Sequence, residues 1–175
     1  MQPPDYVTAY DLLAAEGGGG DALNRLAEAL SPQSAEVDGA AIHWMLSLGR
    51  GPNPHWSVQK RAAAQAAHAV AVKKLANANA EAHAYIAPRY GALAPADAPP
   101  GLKVYVLDIA KYRIYGGDSD SAEARAYRAA LDYLKSVAAG RIDLALPPAA
   151  AAPARPVATV SQPPSAFGGA GLAGY

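Results

Sequence analysis

Cysteine is absent from this 175-residue chain, which removes disulfide frameworks, thiolate nucleophiles and cysteine-based metal sites together. Net charge is absent as well, because 15 Lys and Arg balance 15 Asp and Glu. No global basic field therefore argues for nucleic acid or acidic lipid as a partner. No apolar run approaches the roughly 20 residues that cross a bilayer. The start, Met1-Gln-Pro-Pro-Asp5, lacks the basic and apolar stretches of a secretory signal, so a soluble protein made inside the cell is expected. Large aromatics are scarce: one Phe and two Trp leave the ten tyrosines to supply the aromatic surface. Nowhere does an alternation of period two persist, which argues against strands.

What the chain does have is alanine, which favours helix and lets helices approach closely. Thr8 and Asp11 form a helix-start pattern, and Leu12 and Leu13 follow before Gly17–Gly20 ends the element. Asp21 opens a second helix, with Leu23, Leu26, Ala27 and Leu30 at helical spacing, and Ser31-Pro32 closes it. Residues 31–56 read as an irregular insertion in which Ala40 to Leu48 fits a short helix, followed by a Gly/Pro loop. From Ser57 to about Ala87 neither Gly nor Pro occurs. Val58, Ala62, Ala66, Ala69, Val72, Ala76, Asn79, His83 and Ile86 step by three or four, predicting one long helix stopped by Pro88.

A helix hairpin follows. Gly101 to Tyr115 carries Leu102, Val106, Ile109 and Arg113 on one face and ends at Gly116-Gly117. Asp120 with Glu123 reads as a capping pair for the next helix, with Ala122, Tyr127, Ala130, Leu131, Leu134 and Val137 as its buried stripe. Gly140 suits a left-handed helix stop, with Ile142 beyond it for the accompanying apolar contact. The fold class is therefore all-α: a small helical bundle with one long helix and a C-terminal helix hairpin. Residues 1–146 form the helical domain, and residues 147–175 form an extended Pro/Ala/Gly tail.

No catalytic, cofactor or metal residues emerge. Gly169-Ala-Gly171-Leu-Ala-Gly174 satisfies G-x-G-x-x-G but has neither a strand before it nor a helix after it, so it holds no dinucleotide. His43, His55, His68 and His83 lack partners at metal-ligand spacing, and they read as surface or interhelical residues. Asp108, Lys111 and Arg113 with Tyr105, Tyr112 and Tyr115 are the densest polar-aromatic cluster. Without a nucleophile–base pair, this reads as structural, Asp108 pairing with Lys111 or Arg113.

Charge is unevenly placed. Residues 1–50 hold seven acids against Arg25 and Arg50, whereas residues 57–90 hold Lys60, Arg61, Lys73, Lys74 and Arg89 against Glu81 alone. Opposite-sign halves suit head-to-tail subunit contacts or neutralisation within one subunit. Lys73, Lys74 and Arg89 are candidate interface residues. The tail adds Val157, Val160, Phe167, Leu172 and Tyr175, apolar anchors among six prolines with Arg155 as the only charge. Such a composition suits a docking arm better than a floppy solubility tail, which charge would keep dissolved.

Several of these runs resemble the Mu-type phage head–tail connector family. Tyr6-Val-Thr-Ala-Tyr-Asp11-Leu-Leu is similar to its opening segment. Asn77-Ala-Asn-Ala-Glu81-Ala-His83-Ala-Tyr85-Ile-Ala-Pro-Arg89-Tyr90 is similar to a helix that closes in Arg-Tyr, with Asn77 and His83 where aspartates are usual. Asp108-Ile-Ala-Lys-Tyr-Arg113-Ile-Tyr115 and Ala138-Ala-Gly140 match most closely. The resemblance covers residues 6–30 and 77–144. It implies a non-enzymatic virion protein of the neck, made and assembled in the host cytoplasm and needing no cofactor. Its partners would be copies of itself in a twelve-fold ring, the portal protein and the next neck or tail-completion protein. Genomic DNA would pass through the lumen without sequence-specific contact, and no membrane is involved. The alternative class is a small helical DNA-binding or packaging accessory protein, which the neutral net charge disfavours.

Overall fold

The computed structural model describes residues 3–17, 19–48, 51–91, 93–144 and 146. Among these, six α-helices and one short 3-10 turn (Pro95–Asp97) occur and no strand, as the aperiodic alternation in the sequence led one to expect. They are α1 Ala9–Ala15, α2 Gly20–Leu30, α3 Gly39–Leu48, α4 Val58–Tyr90, α5 Pro100–Tyr115 and α6 Ala122–Ala138.

Local chemistry sets the boundaries. Thr8 and Asp11 make the reciprocal capping box at the start of α1, each side chain taking the other's backbone N–H. The stretch expected to be irregular contains α3, capped by Asp38, whose carboxylate accepts the Ala41 amide at 2.8 Å. A Cβ on Gly39 would lie 2.8 Å from Leu23 Cβ, so glycine lets α3 start hard against α2. Ser57 caps α4 by accepting the Lys60 amide.

Two sequence expectations need correction at the helix ends. Pro88 does not stop α4, which runs on to Tyr90. In the last turn the missing N–H costs one bond, to the carbonyl of Ala84, and that position faces solvent. Gly91, at φ 68°, makes the stop. The cap of α6 is Ser121, whose hydroxyl accepts the Ala124 amide at 3.1 Å, so Asp120 lies one residue too early. Gly140 does adopt the left-handed conformation, at φ 76°. Its N–H meets Val137 O while that of Arg141 meets Ser136 O, which is the paired Schellman arrangement.

The 33-residue α4, about 50 Å long at 1.5 Å per residue, is the spine. Helices α2 and α3 pack on it, and α5 and α6 form an antiparallel hairpin against its C-terminal half. The side chains it buries are Ala64, Ala67, Ala71, Leu75, Ala78, Asn79, Ala82 and Ile86. Only Asn79 and Ile86 belong to the stripe expected from sequence. Ala62, Ala66, Ala69, Val72 and Ala76 face outward instead, because a helix that is alanine on every side gives little contrast from which to read its phase. In α5 and α6 the larger residues hold their predicted places: Leu102, Val106, Ile109, Ala130, Leu134 and Val137 are all buried. Arg113 and Tyr127 lie at the margin, Leu131 is half-buried and Ala122 is exposed.

Among the described residues Asn79 is the one buried polar residue of the core. Its amide oxygen accepts the Val7 N–H at 3.1 Å and its amide nitrogen donates to the Val7 carbonyl at 3.0 Å. The segment before α1, which has no helix or sheet of its own to satisfy it, is thereby anchored to α4. Beside it the Tyr6 hydroxyl lies 2.9 Å from His83 Nδ1.

Candidate functional site

The sequence-dense cluster on α5 proves to be the meeting line of α4, α5 and α6. Tyr105 and Tyr112 are seven residues apart and so lie on one face of α5. Tyr105 stacks on Tyr133 of α6 with ring centroids 4.0 Å apart, and Tyr112 stacks on Tyr127 at 4.5 Å. All four rings are half-buried. Such pairs contribute beyond the area they bury, by about 0.5–1.5 kcal/mol each.

The ion pairs differ from those expected. Arg113 pairs with Glu81 of α4 at 2.6 Å, and the Tyr127 hydroxyl donates to the other Glu81 oxygen at 3.0 Å. Lys111 reaches Glu16 at 3.2 Å and donates to Ala15 O at the end of α1. Asp108 pairs with neither: it makes no hydrogen bond or ion pair with any described residue. Burial raises its carboxyl above the ordinary value, and the charge on Lys111 offsets this only in part. The distances explain the difference, since each cation finds an acid on another helix and the hairpin is thereby tied to α1 and α4.

Tyr115 is half-buried beside Glu16, and Arg25 of α2 lies 4.6 Å from its ring centre. Burial and the Glu16 charge push its hydroxyl well above the ordinary range. Arg25 also bonds Glu123 of α6. The Glu123 carboxyl is held down, first by its own backbone amide at the helix start and then by Arg25.

Of the candidate interface residues, Lys73 is exposed and Lys74 half-exposed on α4. Neither has an ion-pair partner among the described residues. Arg89 is engaged within the chain: its guanidinium donates to Val137 O at 3.2 Å and Ile142 O at 3.0 Å, and meets Asp143 at 3.4 Å. It thus gathers the carbonyls at the end of α6, and Tyr90 completes the clasp through its hydroxyl, which donates to Asp143 and accepts the Leu144 amide. Val157, Val160, Phe167, Leu172 and Tyr175 lie outside the described residues. Among the described residues no group of three His, Asp or Glu side chains could hold a metal ion. No helix there is long and apolar enough to cross a membrane.

Sequence reading missed the tyrosine stacks and the place of Glu81 at their base. A signal was present, since Tyr105/Tyr112 and Tyr127/Tyr133 stand at near-heptad spacing on consecutive helices, and antiparallel pairing brings the outer two and inner two together.

A small all-helical protein, held together by a polar-aromatic clasp, is the class these features define. The chain belongs to the Bacteriophage Mu, Gp36 family, whose model matches residues 52–162, more than half of its length. It is therefore a phage protein of the Mu type. The match takes in α4, α5 and α6 and continues into residues 147–162 beyond the helices, whereas the N-terminal similarity at residues 6–30 lies outside it. No curated protein and no solved structure matches the chain.

Proposed function

We propose that the chain is a structural protein of phage assembly, a head–tail connector subunit that forms a homo-oligomeric ring beneath the portal and joins capsid to tail. The observation that carries this reading is the family match across the long helix, the hairpin and the start of the tail. The site chemistry is consistent with it. The tightly paired groups, Arg113–Glu81, Lys111–Glu16 and Arg89 with the end of α6, hold helices to one another. A subunit rigidified in this way suits geometric work, in which modest contacts repeated around a ring add up to a stable joint. Lys73 and Lys74 on the outer side of α4, and the tail, are left as contact surfaces toward neighbouring copies, the portal and the next neck protein. DNA would traverse the ring without sequence-specific contact, and no reaction is catalysed.

Cryo-EM of the particle neck tests this. The expected result is density for this chain as a ring between portal and tail, with the isolated subunit remaining small by light scattering until portal is added. Infectious particles formed at normal yield without the protein would overturn the connector reading. Tight, salt-dependent binding of the isolated protein to duplex DNA would replace it with the packaging-accessory reading.

A further inference from the structure

The two tyrosine stacks on the α5–α6 seam form a spaced pair of aromatic surfaces. Tyr112 lies seven positions after Tyr105 on α5, about 10 Å along the helix axis. Between them on the same side stands Asp108, half-exposed and without a hydrogen bond or ion pair among the described residues. Beside the Tyr112–Tyr127 stack opens a groove of about 210 Å³, also lined by Ser119, Ala124 and Arg128. The carboxylate is partly desolvated, as its raised pKa shows, and an arriving cation would relieve that cost.

The chain carries a segment with the complementary pattern. Pro153-Ala-Arg155-Pro156 is a P-x-x-P sequence, and Arg155 is the only charge beyond residue 146. In a polyproline helix, with three residues per turn and 3.1 Å per residue, two prolines three apart share one side at a spacing of about 9 Å. That matches the spacing of the stacks. Aromatic-lined grooves are the usual receptors for such segments, because little chain entropy remains to be lost on binding. An arginine meeting a partly buried carboxylate adds a charge-assisted, directional contact.

The exit of the chain lies at the correct end. Leu144 is bonded to the Tyr90 hydroxyl, and Tyr90 is close enough to Tyr133 that it joins burial and Tyr105 in raising that phenol's pKa. Pro153 lies seven positions after Leu146, a reach of about 22 Å when extended. This is enough to bring Pro153 to the Tyr105–Tyr133 stack and then Pro156 to the Tyr112–Tyr127 groove. We infer that Pro153-Ala-Arg155-Pro156 docks on the α5–α6 seam of its own subunit, the two prolines on the two tyrosine stacks and Arg155 on Asp108. The docked segment sets the direction in which Val157, Val160, Phe167, Leu172 and Tyr175 leave the subunit. This inference does not depend on the connector reading.

Because the chain has no cysteine, an Ala158→Cys variant of the full-length protein carries a single nitroxide label. In isotope-labelled protein the label is expected to abolish most of the ring-signal intensity of Tyr105, Tyr112, Tyr127 and Tyr133. Adding Arg155→Glu, a change outside α1–α6, should restore those signals, and Asp108→Arg combined with Arg155→Glu should remove them again. If Asp108→Arg does not fold, the isosteric Asp108→Asn serves, and should restore much of the intensity by itself. Ring signals untouched by the label, or broadening that survives Arg155→Glu unchanged, would overturn the proposal. So would broadening passed from spin-labelled copies to separate isotope-labelled copies, which would make a second subunit the receptor.

Discussion

On α4 the side chains facing the core are Ala64, Ala67, Ala71, Leu75, Ala78, Ala82 and Ile86, whereas α5 and α6 turn Leu102, Val106, Ile109, Leu134 and Val137 inward. Apart from Ala64, both surfaces belong to one core cluster. They fill it in opposite ways, the first by letting backbones approach and the second by projecting large side chains into the space between helices. The alanine surface has little slack, because a methyl group already in contact with neighbouring atoms leaves no room for more. The leucine surface contributes most of the apolar area removed from water, at about 25 cal/mol per Å². A helix of the first kind is a stiff spine that fixes distances, and one of the second kind supplies stability and legible amphipathicity.

The largest expected effect sharpens that contrast within α4 itself. Ala78→Leu should destabilise the fold by about 1–3 kcal/mol, since the added carbons must displace packed atoms. Ala76→Leu, two residues away on the exposed side, should change stability by no more than about 0.5 kcal/mol. Urea unfolding of the two variants checks this, and equal costs would mean that the phase of α4 is misplaced.

The same contrast explains what could be read from the sequence. The all-helical class, the bounds of α1 and α2, the length of α5 and the stop at Gly140 were legible, because capping side chains, glycines and large apolar residues each act locally. The phase of α4 was not, since nearly equal residues surround the helix and only tertiary packing chooses among them. The polar-aromatic cluster was found by its density on α5, yet its partners were not. Glu81 and Glu16 lie 32 and 95 positions before Arg113 and Lys111, and long-range pairing leaves no local mark. Arg89 reads from the sequence as a candidate interface residue; its collecting of the Val137 and Ile142 carbonyls was not legible, because that depends on where α6 ends in space.

A second test concerns the junction where the two surfaces meet. Gly140→Val should cost about 1–2 kcal/mol, the penalty of a branched residue in the left-handed conformation. Space is not the limit, since a Cβ there would meet Arg89 only at 3.4 Å. An unchanged melting temperature would contradict the Schellman stop. A Gly140→Asn variant, which tolerates positive φ better, should lose less.

The smallest effect separates two neighbouring candidates for the start of α6. The Ser121 hydroxyl accepts the Ala124 amide, so Ser121→Ala leaves one of the first-turn donors to water and should cost about 1 kcal/mol. Asp120 supplies no such bond, and Asp120→Ala should lie within about 0.5 kcal/mol of the parent protein. Glu123 complicates a simpler test by charge. Its carboxyl is held below the ordinary range by the helix-start amide and by Arg25, so its contribution is present above the unfolded-state pKa and fades as pH falls through the lower folded value. Comparing the two alanine variants at neutral pH keeps that contribution constant, because Glu123 is ionised in both. A larger loss for Asp120→Ala than for Ser121→Ala would move the cap back one residue. It would also lengthen α6 by one residue at its start, without moving Tyr127 and Tyr133 against their partners on α5.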